Sequence, residues 1–122
     1  MIVTQKYFGT SEYRAVLEKL LAVARVKEPP INYDVVFKLM RLKGGNFAAG
    51  EAGHLLGEIS ERTHLQGEPM LSALVVNKDT RLPGAGFFGL AKSLGRLEHN
   101  ASPTREKEFW DNEITAIRST QW

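Results

Sequence analysis

Between residues 11 and 27 the apolar positions Tyr13, Val16, Leu17, Leu20, Leu21 and Ala24 return every three or four residues, which predicts one buried helical face. Ser11 stands where an N-cap belongs, with Glu12 in the first turn. Glu28-Pro29-Pro30 ends the helix, because a residue before proline is pushed out of the helical region. A shorter helix is expected from about residue 33 to 42, capped by Asn32, with Val35, Val36, Leu39 and Met40 inward and Gly44-Gly45 as its stop. Asn46 is the expected cap of a third helix reaching about Thr63. Its stripe of Ala48, Ala52, Leu55, Leu56 and Ile59 is narrowed by Ala49, Gly50, Gly53 and Gly57, small residues that let another backbone come close.

Gln66-Gly67-Glu68-Pro69 is turn chemistry, and residues 70–76, apolar and ending in two valines, predict a mostly buried strand. A polar loop with glycines covers 77–86. Phe87, Phe88 and Leu90 then open a short helix ending near Gly95. Ser102-Pro103, a cap followed by proline at the first helical position, begins a last helix whose stripe is Phe109, Trp110, Ile114 and Ile117.

The chain has 122 residues, 43% of them hydrophobic and 25% charged, which fits one domain with its own core. It divides into a body, 1–97, and a helical extension, 98–122. Without cysteine there is no disulfide, thiolate zinc site or cysteine nucleophile, and His54, His64 and His99 show no metal-binding spacing, so neither metal nor cofactor is expected. No apolar run has the length of a membrane span and the start lacks a signal-peptide pattern, so a cytoplasmic protein making no membrane contact is expected. The net charge of +2 is unevenly spread: residues 98–122 hold five acids against three bases, a balance of −2 that leaves +4 on the body.

The order helix, helix, small-residue helix, turn, strand, glycine-rich loop is that of a winged helix-turn-helix, so the expected fold is mainly α with a small β-hairpin and an added C-terminal helix. In that fold the third helix enters a DNA groove and the wing loop touches the backbone. Lys38, Arg41 and Lys43, with no acid between Asp34 and Glu51, then fall where such a module grips phosphates. Asn77, Lys78, Thr80 and Arg81 are donors on the loop, and Asn46 and His54 are positioned to face the groove. Each group has a plainer role as well: cations complement a helix C-terminus, and polar residues solvate a turn. Glu51, Glu58 and Glu61 on the third helix, against Arg62, weigh against a phosphate-facing helix.

The segments Ala52-Gly53-His54-Leu55-Leu56-Gly57-Glu58-Ile59, Pro69-Met70-Leu71-Ser72-Ala73-Leu74-Val75-Val76 and Gly84-Ala85-Gly86-Phe87 resemble the DNA-binding module of alkylguanine-DNA alkyltransferases and of the catalytically dead alkyltransferase-like proteins. The resemblance spans roughly residues 33–88. That family carries an Arg-Ala-Val-Gly helix pattern and a Pro-Cys-His-Arg-Val-Val segment. Aligned on the valine pair, the reactive cysteine falls at Ser72, the following His-Arg at Ala73-Leu74, and the arginine that replaces a flipped base at His54. The resemblance therefore implies a fold and a double-stranded DNA partner, and no alkyl transfer. The block 71–88 also looks like a segment of small bacterial and mobile-element proteins.

A non-enzymatic DNA-binding protein is thus the first expectation. The other is a small protein-interaction or inhibitor module of a bacterial defence or mobile-element system, acting on a protein partner through Phe109, Trp110 and Trp122 of its acidic tail. No serine-histidine signature or phosphate-loop fingerprint points to an enzyme.

Overall fold

Thr10, one residue before the expected cap, begins the first helix: its hydroxyl accepts from the Tyr13 N–H, and α1 runs Ser11–Val26. The structure, a computed structural model, describes residues 2–122. Lys27 closes α1 in the left-handed region at φ 56°, with its N–H on the Ala24 carbonyl and that of Glu28 on Val23. Asn32 caps α2 (Tyr33–Leu39), as its sequence position predicts, by accepting from the Asp34 N–H at 3.0 Å. The helix stops three residues short of the expected end, because Arg41 turns left-handed and Leu42 N–H bonds back to Phe37. Gly45, at φ 115°, is the cap of α3 (Asn46–Leu65), so Asn46 is its first residue and no side chain caps it. Later come α4 (Ala85–Ser93) and α5 (Pro103–Ser119), the latter capped by the Ser102 hydroxyl accepting from Arg105 N–H.

The molecule is mostly helical, with five α-helices and one small sheet among the described residues. That sheet corrects the expected hairpin. β1 (Ile31–Asn32) and β2 (Val75–Val76) pair in parallel, Ile31 opposite Val75, and no strand returns from the loop after β2. The strand expected over 70–76 is for most of its length a 3-10 helix, Leu71–Leu74. Its backbone groups are taken by side chains from elsewhere: Glu113 accepts Met70 N–H at 2.8 Å, Ser60 accepts Ser72 N–H at 2.9 Å, and Trp110 donates to Ala73 O at 2.8 Å. With those partners supplied, no sheet ladder is needed to satisfy this buried segment.

The 3-10 helix is the centre of the fold, with α1, α3 and α5 all packed on it. Leu20, Leu55, Ile59, Met70, Leu71, Leu74 and Ile117 are sealed from solvent around it. Phe109 is buried, Trp122 donates its indole N–H to Ile117 O at 2.8 Å, and the Trp122 carbonyl accepts from Arg25 at 3.0 Å. The tail aromatics thus fasten the extension to the body. No helix among the described residues is long and apolar enough to cross a membrane.

Candidate nucleic-acid interface

Glu51, His54, Glu58 and Glu61 follow one another along α3 at spacings of three, four and three residues, so they lie on one side of the helix. Residues 2–8 run along that side. Glu61, 2% exposed, accepts the N–H groups of Ile2 at 2.5 Å and Val3 at 3.1 Å. Glu58, 4% exposed, accepts those of Tyr7 and Phe8, both at 2.9 Å. His54 Nε2 lies 2.7 Å from Thr4 O, which makes that nitrogen the donor, and 3.4 Å from Glu58 Oε2. Glu51 accepts from Lys6 at 2.6 Å and from the Tyr7 hydroxyl. The acids that weigh against a phosphate-facing helix are therefore occupied by the chain's own N-terminal segment.

The hydrogen bond to Glu51, aided by desolvation, raises the Tyr7 pKa from its ordinary value near 10 to about 12, while Lys6 first and Tyr7 second hold the Glu51 carboxyl below its ordinary range. Tyr7 is protonated more tightly in the folded state, so its contribution to stability is complete below pH 10 and fades as pH rises through about 12. That of Glu51 is complete above the ordinary carboxylate value of 4.5 and fades as acid is added through its lowered value. In a spectroscopic titration of Glu51→Gln, one of the three tyrosines should ionise earlier, toward pH 10. An unchanged titration would show that this contact does not hold in solution.

The cations singled out in the sequence fall into two groups. Lys38, Arg41 and Lys43 are exposed around the turn into α3, and Arg81 is exposed on the loop after β2. Among the described residues none of the four forms an ion pair. Arg41 and Arg81 both hold left-handed backbone, at φ 59° and 60°, a conformation that favours glycine. Lys78 instead pairs with Asp34 at 2.5 Å on the surface, which raises its pKa. Asn77 and Thr80 turn inward on the loop, the Asn77 amide donating to Leu82 O at 3.3 Å and the Thr80 hydroxyl accepting Leu82 N–H at 3.2 Å. The loop is thus a closed turn in which Arg81 has no acidic partner among the described residues. Asn46 is exposed at the start of α3, beside backbone N–H groups that no side chain caps.

A pocket of about 230 Å³ lies against α3. Val3, Leu56, Phe87 and Leu90 supply its apolar walls, Gly53, Gly57 and Gly86 leave it room, and Ser72, Tyr33 and His54 are its polar groups. The Ser60 hydroxyl lies 2.5 Å from Ser72 Oγ and accepts the Ser72 N–H, so the two serines bond to each other beside the pocket. Tyr33 accepts from Gly84 N–H at 3.1 Å, and burial, opposed by that bond, raises its pKa and keeps it a donor. The pocket as a whole leaves no sign in the sequence, because its wall at Val3 lies 50 or more residues from the α3 residues that line it, Gly53 to Gly57.

The fold and site define a small helical protein in which two helices meet at a turn bearing cations without ion-pair partners among the described residues, with an apolar pocket beside the second of them. No family model, curated protein or solved structure matches the chain.

Proposed function

We propose that this protein binds double-stranded DNA without catalysing a reaction on it, as a helix-turn-helix of winged-helix type whose wing is reduced to the turn carrying Arg81. The carrying observation is the charge arrangement about α3: its acids are engaged by residues 2–8, while Lys38, Arg41 and Lys43 remain without acidic partners among the described residues. Unpaired cations at the turn into a helix suit phosphate oxygens on either side of a groove.

The pocket supports the same reading. Ser72 and His54, which the alkyltransferase resemblance puts at the reactive-cysteine and base-replacing positions, both line it. Its volume lies below the ~300 Å³ at which drug-sized sites begin, a size for one ring system, and its polar groups on apolar walls suit a base taken out of the stack. The hydrogen-bond partner of the Ser72 side chain is another serine hydroxyl, which does not activate a nucleophile, and this supports a reading of binding without transfer.

Fluorescence anisotropy of labelled duplex and single-stranded DNA at two salt concentrations, with an O6-alkylguanine duplex alongside, tests this. Duplex binding should weaken steeply with salt, and the combined change Arg41→Ala, Lys43→Ala and Arg81→Ala should lower the salt slope by about two to three, near 0.9 for each phosphate no longer neutralised. Lys78→Ala, removing a cation already paired, should do less. Absence of duplex binding at low salt, or a triple variant with wild-type slope, would overturn the assignment.

A further inference from the structure

Phe47, in the first turn of α3, is 74% exposed, more than any other large hydrophobic side chain described. Along the chain it follows cations: Lys43 and Arg41 precede it in the turn and Lys38 lies on α2, none with an ion-pair partner among the described residues, while the nearest acid on its own helix, Glu51 one turn on, is taken by Lys6 and the Tyr7 hydroxyl. One turn on, Gly50 is exposed, and a Cβ placed there would touch nothing within 4 Å. Packing inside the chain therefore does not require glycine at that position, although glycine weakens a helix interior. Beyond the ring the helix wall is low, and a bulky surface can approach it.

An exposed apolar ring next in the chain to cations that have no ion-pair partner among the described residues complements a polyanion that also offers apolar faces. Duplex DNA is such a partner, with phosphates outside and stacked bases within, and apolar side chains can enter it as wedges between base steps. We infer that Phe47 is the side chain that enters the duplex, wedging into a base step while Lys38, Arg41 and Lys43 hold the flanking phosphates. The inference rests on the DNA-binding reading above and adds to it the residue that contacts bases. The ring's exposure has a cost to solubility that DNA contact removes.

The test uses the full chain, as wild type, Phe47→Ala and Phe47→Trp, on a short duplex with 2-aminopurine at its central step. Wild-type binding should raise 2-aminopurine emission as the step unstacks. Phe47→Ala should bind about 5- to 150-fold more weakly, the range expected when one aromatic stacking partner is removed, with no rise in emission and an unchanged salt slope. Phe47→Trp should restore both signals. Since the ring is exposed, Phe47→Ala should unfold with the wild type, which separates weakened binding from a damaged fold. Wild-type affinity and emission in Phe47→Ala would overturn the wedge and leave the DNA-binding reading standing. No binding by the wild type at low salt would overturn both, and self-association abolished by Phe47→Ala would overturn the wedge by assigning the ring to a second copy of the chain.

Discussion

Glu113→Ala should destabilise the protein by about 2–4 kcal/mol, from leaving a buried N–H without its acceptor and a half-buried arginine without its counter-charge. Glu113, on α5, is 6% exposed and binds two separate pieces of the fold: Met70 N–H at 2.8 Å, where the chain enters the 3-10 helix, and Arg96 at 3.0 Å, in the segment after α4. Without it, Met70 N–H is left buried beside a side chain sealed from solvent, and the Arg96 guanidinium keeps the Glu68 carbonyl and its contact with His64 but no counter-charge. Domains of this size are stable by about 5–15 kcal/mol, so the loss takes a large share of the whole. Glu113→Gln keeps an acceptor for Met70 and gives up the charge, and should fall between wild type and alanine. Glu108→Ala, which removes a surface partner of Arg105, should stay within about 0.5 kcal/mol. Urea unfolding of the three variants checks the order. Equal midpoints for Glu113→Ala and Glu108→Ala would refute the bridging role.

Where local chemistry decides an element, the sequence is a sufficient guide. Asn32 and Ser102 cap helices from the positions their spacing indicates, Pro29-Pro30 follows the end of α1, and Pro103 opens α5. Residues 70–76 have the composition of a strand. What makes most of them a 3-10 helix are Ser60, Trp110 and Glu113, between 12 and 43 residues away, which no window over the segment contains. The same holds for the tail aromatics. Periodicity puts Phe109 and Trp110 on one stripe, but that Trp110 donates to Ala73 O depends on the position of a distant turn.

The candidate interface is legible in its cations and illegible in its acids. Lys38, Arg41, Lys43 and Arg81 stand without ion-pair partners among the described residues at a turn and a loop, although Asp34 lies four residues before Lys38 and Asp79 two before Arg81. Lys78 is drawn to Asp34, 44 residues away. A signal for the acids is present: Glu51, His54, Glu58 and Glu61 repeat with helical period, and a line of carboxylates along one side of a helix requires donors from elsewhere. Apolar periodicity passes over such a line, since it weighs only the residues expected in the core. Phe47 escapes notice for the converse reason. It sits off the apolar stripe, where a large ring contributes nothing to folding.

Glu58→Ala and Glu61→Ala together should free residues 2–8 and cost about 3–5 kcal/mol, from the loss of four charge-assisted hydrogen bonds, less what the released N–H groups regain from water. Neither carboxylate has a lysine or arginine ion-pair partner among the described residues. The backbone N–H groups of one short segment solvate both, so the acids and the segment stabilise each other. Glutamine is a poor substitute here, because its amide places a donor against donors. Glu58→Gln and Glu61→Gln keep one acceptor oxygen each and lose the other with the charge, so, as at Glu113, they should fall between wild type and alanine. Hydrogen exchange provides the decisive readout: the Val3, Tyr7 and Phe8 amides should lose protection in the double variant while those of α5 keep theirs. Retained protection at Val3 and Tyr7 would show that other contacts hold the segment. Its release would also withdraw Val3 from the pocket wall opposite Leu90, so the acids that hold the N-terminal segment also set the shape of the proposed base site.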